Sequence, residues 1–127
     1  MAQVSVRYIV DDVDAAITFY TRHLGFTLEL HPAASFAILS RGDLRLLLSA
    51  PSGPGGASQP MPDGRRPEAG GWNRIQLHSD DLNGLVETLR SAGARFRNDI
   101  VSGIGGKQIL LEDHAGNHIE QFEPPRT

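Results

Sequence analysis

Residues 10–26 read VDDVDAAITFYTRHLGF, and this stretch decides how the rest of the chain is organised. Val13, Ala16, Ile17, Tyr20 and Leu24 recur at helical spacing and give one apolar face. Asp12 stands just before the first of them, where a carboxylate accepts from the free N–H groups of an opening turn. Gly25 follows the last, at a position that favours a left-handed backbone. A second stretch, SDDLNGLVETLRSAGA at 79–94, repeats the pattern. Asp80 and Asp81 precede an apolar face of Leu82, Leu85, Val86, Leu89 and Ala92, and Gly93 closes it. The second helix is shorter by one residue.

The flanking segments repeat too. Alternating and β-branched residues predict strands over 4–10, 26–30, 35–40 and 44–49. His31-Pro32 is expected to break the second of these, and Arg41-Gly42-Asp43 to turn the third into the fourth. In the other half strands are expected over 72–79, 94–98, 107–112 and 118–122. Each half is therefore βαβββ, and self-similarity on this scale points to a duplicated unit. The expected fold is α+β: one domain over 1–127, with a module at about 1–50 and another at about 72–127. Between them lie residues 51–71, rich in Pro and Gly, expected as an exposed connection or a lid.

Composition narrows the function. The chain has 127 residues, 39% hydrophobic and 21% charged, as expected of a globular domain. A net charge of -3 offers no basic excess to neutralise phosphates, so nucleic acid is not an expected partner. There is no cysteine, which removes disulfides, thiolate nucleophiles and Cys-bound zinc. The opening MAQVSVRYIVDD lacks a basic region followed by an apolar one, and no apolar run reaches the ~20 residues of a membrane span. A cytoplasmic location with no membrane partner is the expectation.

A βαβββ unit covers one sheet face with its helix and leaves the other open. Two such faces, cupped together, would enclose a cavity for a small ligand. Strand alternation sorts the side chains. Val4, Val6, Tyr8 and Val10 are expected under the first helix, with Ser5, Arg7 and Ile9 on the open face. Ile75 and Leu77 go to the second helix, and Arg74, Gln76 and His78 to the open face. In the last strand, Ile119 and Gln121 share one side, opposite His118, Glu120 and Phe122. Polar groups thus collect on faces expected to be concave. Arg7 is a candidate anion contact, and Trp72 and Phe122 are candidates for stacking on a planar ligand. The glycines at 103–106 are expected to form a hairpin. His31 and His114 are expected in solvated turns.

These stretches, with EDHAGNHIEQFEP at 112–124, resemble the vicinal oxygen chelate superfamily of glyoxalases, bleomycin-resistance proteins and extradiol dioxygenases. The last stretch is similar to the family's Asp-Pro-x-Gly-Asn turn followed by a strand carrying Glu, with His114 where Pro is usual. The resemblance implies the glyoxalase-like fold and a homodimer. In metal-dependent members it places ligands at positions that fall here on Ser5, Leu47 (or Leu46), Arg74 and Glu120. Only Glu120 is a ligand type, and a divalent ion needs about three. Arg74 adds a permanent cation, so an Arg74–Glu120 ion pair is expected there instead of a metal. A shifted His78, His118, Glu120 set is the alternative, with Zn, Fe, Mn or Ni.

The expected function is therefore metal-independent small-molecule binding, with an antibiotic among the candidate ligands. Arg7, Trp72, Arg74, Gln76, His78, His118, Glu120 and Phe122 are the candidate binding residues. The alternative is a metal-dependent lyase, isomerase, epimerase or extradiol dioxygenase. A metal-free lyase or isomerase is a further option, with Glu120 as the catalytic proton carrier.

Overall fold

In the computed structural model, which describes residues 4–125, both amphipathic stretches are helices capped as their sequences require. Helix α1 spans Val13–His23, and Asp12 Oδ1 accepts from Ala15 N at 3.0 Å. Gly25 has φ +74°, the left-handed geometry that ends the helix. Arg41 Nη1 donates to the Leu24 carbonyl at 3.1 Å, a cation where the helix dipole favours one. Burial pushes the Arg41 pKa down by desolvation. Helix α2 spans Leu82–Ser91, and Asp81 Oδ1 accepts from Gly84 N at 3.1 Å.

Contacts divide the chain into two compact units, one running to Ala69 and one starting at Gly70. In the first unit, strands β1 (Val4–Ile9), β2 (Thr27–Ala33), β3 (Phe36–Arg41) and β4 (Leu44–Ser49) form a four-stranded sheet of order β1-β4-β3-β2. Strand β1 runs parallel to β4, and the other pairs are antiparallel. The core lies between α1 and the sheet. It contains Tyr8, Val10, Val13, Ala16, Phe19, Tyr20, Leu24, Phe26, Ala37, Leu39, Leu46 and Leu48. Tyr20 packs edge-on against Phe26, with ring centroids 5.5 Å apart. Each buried Val, Leu or Phe among them contributes about 1.5–3 kcal/mol by leaving water.

The second unit contains strands β5 (Arg74–His78), β6 (Arg95–Phe96), β7 (Val101–Gly103), β8 (Gly106–Glu112) and β9 (His118–Glu123). They form a five-stranded sheet of order β5-β9-β8-β6, with β7 also on β8 and β5 parallel to β9. Leu82, Val86 and Ile109 centre its core, with Phe96 and Ile100 against them. The first unit is therefore βαβββ as expected, the second carries one extra short strand, β7, on the same plan, and the architecture is α+β on mixed sheets.

Several local expectations need correction. Strand β2 is not broken at His31-Pro32 but continues to Ala33 through register shifts. It is an edge strand, where the N–H that Pro lacks has no ladder partner to lose. His31 is thus in a strand, with Nε2 3.6 Å from Asp14 Oδ1. The strand expected over 94–98 is shortened to β6, and an unexpected further short strand, β7, follows. Between them Asn98 Oδ1 accepts from Leu110 N at 2.9 Å, a side chain taking the place of a ladder carbonyl. Val4 is 68% exposed and lies outside the core. The 51–71 segment is mostly exposed, yet Gly56–Ser58 forms a 3-10 turn whose Ser58 is buried. No helix of the described residues is long and apolar enough to cross a membrane.

Candidate ligand-binding site

The turn before β9 fixes the register of the second sheet. Asp113 and Asn117 are both buried. Asp113 Oδ1 accepts from Ala115 N and Asn117 N, both at 2.9 Å, while its Oδ2 accepts from Asn117 Nδ2 at 3.0 Å. Asn117 Oδ1 in turn accepts from Gly70 N at 3.2 Å. The parallel pairing of β5 with β9 then sets Arg74 beside His118, Gln76 beside Glu120, and His78 beside Phe122. All these side chains share the face away from α2, as alternation predicts. On the other face Ile75, Leu77, Ile119 and Gln121 are buried.

A polar chain runs across the open face. Arg74 Nε and Nη2 donate to Glu120 Oε1 at 3.1 and 3.0 Å. Gln76 Nε2 donates to Glu120 Oε2 at 2.6 Å. Gln76 Oε1 lies 3.1 Å from His78 Nε2. Glu120 is only 7% exposed, and a buried carboxylate requires such donors on both oxygens. Aromatic contacts flank the chain at each end. Trp72, 75% exposed, stands edge-on to His118 with centroids 5.7 Å apart. His78 is tilted against Phe122 at 5.3 Å.

Arg7 belongs to the first unit. Its Nη1 donates to Ser49 Oγ at 3.1 Å, and its guanidinium carbon lies 6.0 Å from the Phe36 ring centroid. These residues line a cleft of about 200 Å³ together with Ser35 and the 55–58 backbone. Ser58 anchors that backbone by donating to the Ala50 carbonyl at 2.6 Å.

The sequence reading missed Ser49, Phe36, Ser58 and Glu123. Ser49 was accessible to it, since alternation along LRLLLS places Arg45, Leu47 and Ser49 on one face. Ser58 lies in a Pro/Gly-rich stretch that carries no periodic signal. Glu123 Oε1 accepts from Leu82 N at 2.8 Å, a tertiary cap on α2 that no local pattern announces.

The positions that the family's metal-dependent members use are now visible. Leu47, not Leu46, points to the open face, for Leu46 is fully buried under α1. Glu120 already spends both oxygens on Arg74 and Gln76, with a guanidinium nitrogen 3.0 Å away. Among the described residues no three His, Asp or Glu side chains gather as a metal site requires. This donor set does not fit a divalent ion.

Two related units, each a mixed sheet with one helix and a parallel first-to-last strand pair, define the glyoxalase-like fold. The chain belongs to the Glyoxalase/Bleomycin resistance protein/Dioxygenase superfamily, whose model matches residues 2–121. A member of that superfamily from Sphaerobacter thermophilus is 25% identical, with a TM-score of 0.75 over 97% of both chains. TnmS3, an antibiotic binding protein from Streptomyces, is 21% identical, with a TM-score of 0.74 over 98% of this chain and 97% of its own. Lactoylglutathione lyase from Agrobacterium tumefaciens is 24% identical, with a TM-score of 0.73 over 96% of this chain and 92% of its own. A search among curated proteins finds no match.

Proposed function

We propose that this protein binds a small organic molecule, an antibiotic being one candidate class, without a metal ion. One observation carries the reading: the buried Glu120 carboxylate is satisfied by Arg74 and Gln76. A carboxylate held this way orients neighbouring donors. Gln76 presents its amide between Glu120 and His78. An amide side chain is not a titratable base, so the chain positions hydrogen-bonding groups and does not relay protons. Trp72 and Phe122 supply aromatic surface at the two ends of the strip. The likeness to an antibiotic binding protein supports the ligand class, and at 21% identity its direct bearing is on the fold.

The test is a thermal-shift screen of small organic molecules, antibiotics included, with and without a chelator. A ligand should raise the melting temperature by mass action, equally in both conditions. Arg74→Met should remove the shift. A ligand effect that disappears with the chelator and returns with zinc, iron, manganese or nickel would overturn the reading. The proposal includes pairing of two copies, for which light scattering at micromolar concentration is the check, and a monomer would remove that part.

A further inference from the structure

We infer that the cleft around Arg7 in the first unit binds the carboxylate of a small aromatic or apolar acid. The inference rests on the small-molecule reading above and assigns the ligand's chemical class.

The duplication makes the argument. In the second unit Gln76 faces Glu120 across the parallel pair, and Arg74 is neutralised by that acid. At the equivalent pair in the first unit Arg7 faces Leu47. Among the described residues Arg7 is in no ion pair, so the cation lacks the acid that its counterpart module supplies. Ser49, itself buried, takes one guanidinium N–H and fixes the group's direction. The remaining donors of a planar fork match a carboxylate in bidentate geometry.

The surroundings select the rest of the ligand. The Phe36 ring and Ala57 give apolar wall, and Gly55 and Gly56 leave the opposite side without side chains. A cleft of about 200 Å³ is below the roughly 300–1,000 Å³ typical of drug-sized sites, so it takes a ring-sized fragment. The chain carries a net charge of -3, so its overall field does not draw anions. The attraction is local to Arg7.

The probes are benzoate, its neutral counterpart benzamide, and inorganic phosphate, titrated into the full chain and followed by amide chemical shifts. Benzoate should move the signals of Arg7, Phe36, Ser49 and Ser58. Benzamide and phosphate should bind at least about tenfold more weakly, the first lacking charge and the second lacking an apolar body. Arg7→Met should abolish the benzoate response, and Ser49→Ala, which keeps the cation, should weaken it several-fold. Equal binding of benzoate and benzamide, stronger binding of phosphate, or shifts confined to other residues overturns the inference. If a screened ligand depends on Arg74 while benzoate leaves the cleft signals unmoved, the inference fails and the broader function stands. If benzoate binds at Arg7 and Arg74→Met changes no ligand's binding, the reverse holds.

Discussion

The two sheets share strand order and parallel first-to-last pairing, yet their open faces carry different chemistry. In the second unit the central pair is Gln76 and Glu120, tied to Arg74 and His78 in one polar chain. In the first the equivalent pair is Arg7 and Leu47, with Ile38 next to Leu47 on β3. One face is internally neutralised, and the other exposes a cation beside apolar neighbours. A duplicated backbone thus fixes where side chains stand and leaves open what they do. The helix-facing positions stay mostly apolar in both units, buried Gln121 being the exception in the second, because both must bury a helix, while the open faces are under no such requirement.

The largest expected effect comes from making the second face resemble the first. Glu120→Leu leaves Arg74 and Gln76 without their acceptor. Loss of one partner of a fully buried pair costs roughly 3–5 kcal/mol. The Arg74 side chain is 30% exposed, so about 2–3 kcal/mol is expected, read from the urea midpoint. Arg74→Met added to Glu120→Leu should recover most of that loss. No recovery would mean that the carboxylate's role is not to match this cation.

Gly106→Ala comes next. Gly106 has φ +130°, and a Cβ there would meet the Glu123 carbonyl and approach the Phe122 ring at 2.9 Å. A cost of about 2 kcal/mol is expected, with weakened ligand binding through the displaced Phe122. Gly42 at +59°, where a Cβ meets nothing within 4 Å, should suffer less from the same change, which separates crowding from backbone strain.

The helix caps sharpen the comparison further. Asp12→Ala should cost about 1 kcal/mol. Asp81→Ala should cost roughly half as much, because Glu123 still caps Leu82 N. Equal losses in thermal melts would show that Glu123 adds nothing to α2.

A similarly small stability change, within about 0.5–1 kcal/mol, is expected for Leu47→Glu, since this half-buried residue lies on the open face. It supplies the acid that Arg7 lacks and should suppress the benzoate response without unfolding the chain. Retained benzoate binding would separate that response from the charge on Arg7.

Much of this was readable in the residues alone. The capped stretches at 10–26 and 79–94 announce two helices, and period-two alternation sorts Arg74, Gln76 and His78 from Ile75 and Leu77. The Arg74–Glu120 contact follows from two strands whose relation the duplication predicts. What alternation does not carry is tertiary substitution of backbone roles. Asn98 interrupts a strand by standing in for a carbonyl, and Glu123 caps a helix from another strand. Pro32 continues an edge strand that local propensity would end. Ser58 reaches the Arg7 cleft from a segment without periodicity, where no pattern marks a wall.

Metal content of the protein purified without chelators tests the central claim most directly, with wild type and Glu120→Gln compared by elemental analysis. The Arg74-bound carboxylate predicts only trace, substoichiometric metal, the same in both proteins. Near-stoichiometric zinc, iron, manganese or nickel in the wild type, lost in Glu120→Gln, would contradict it.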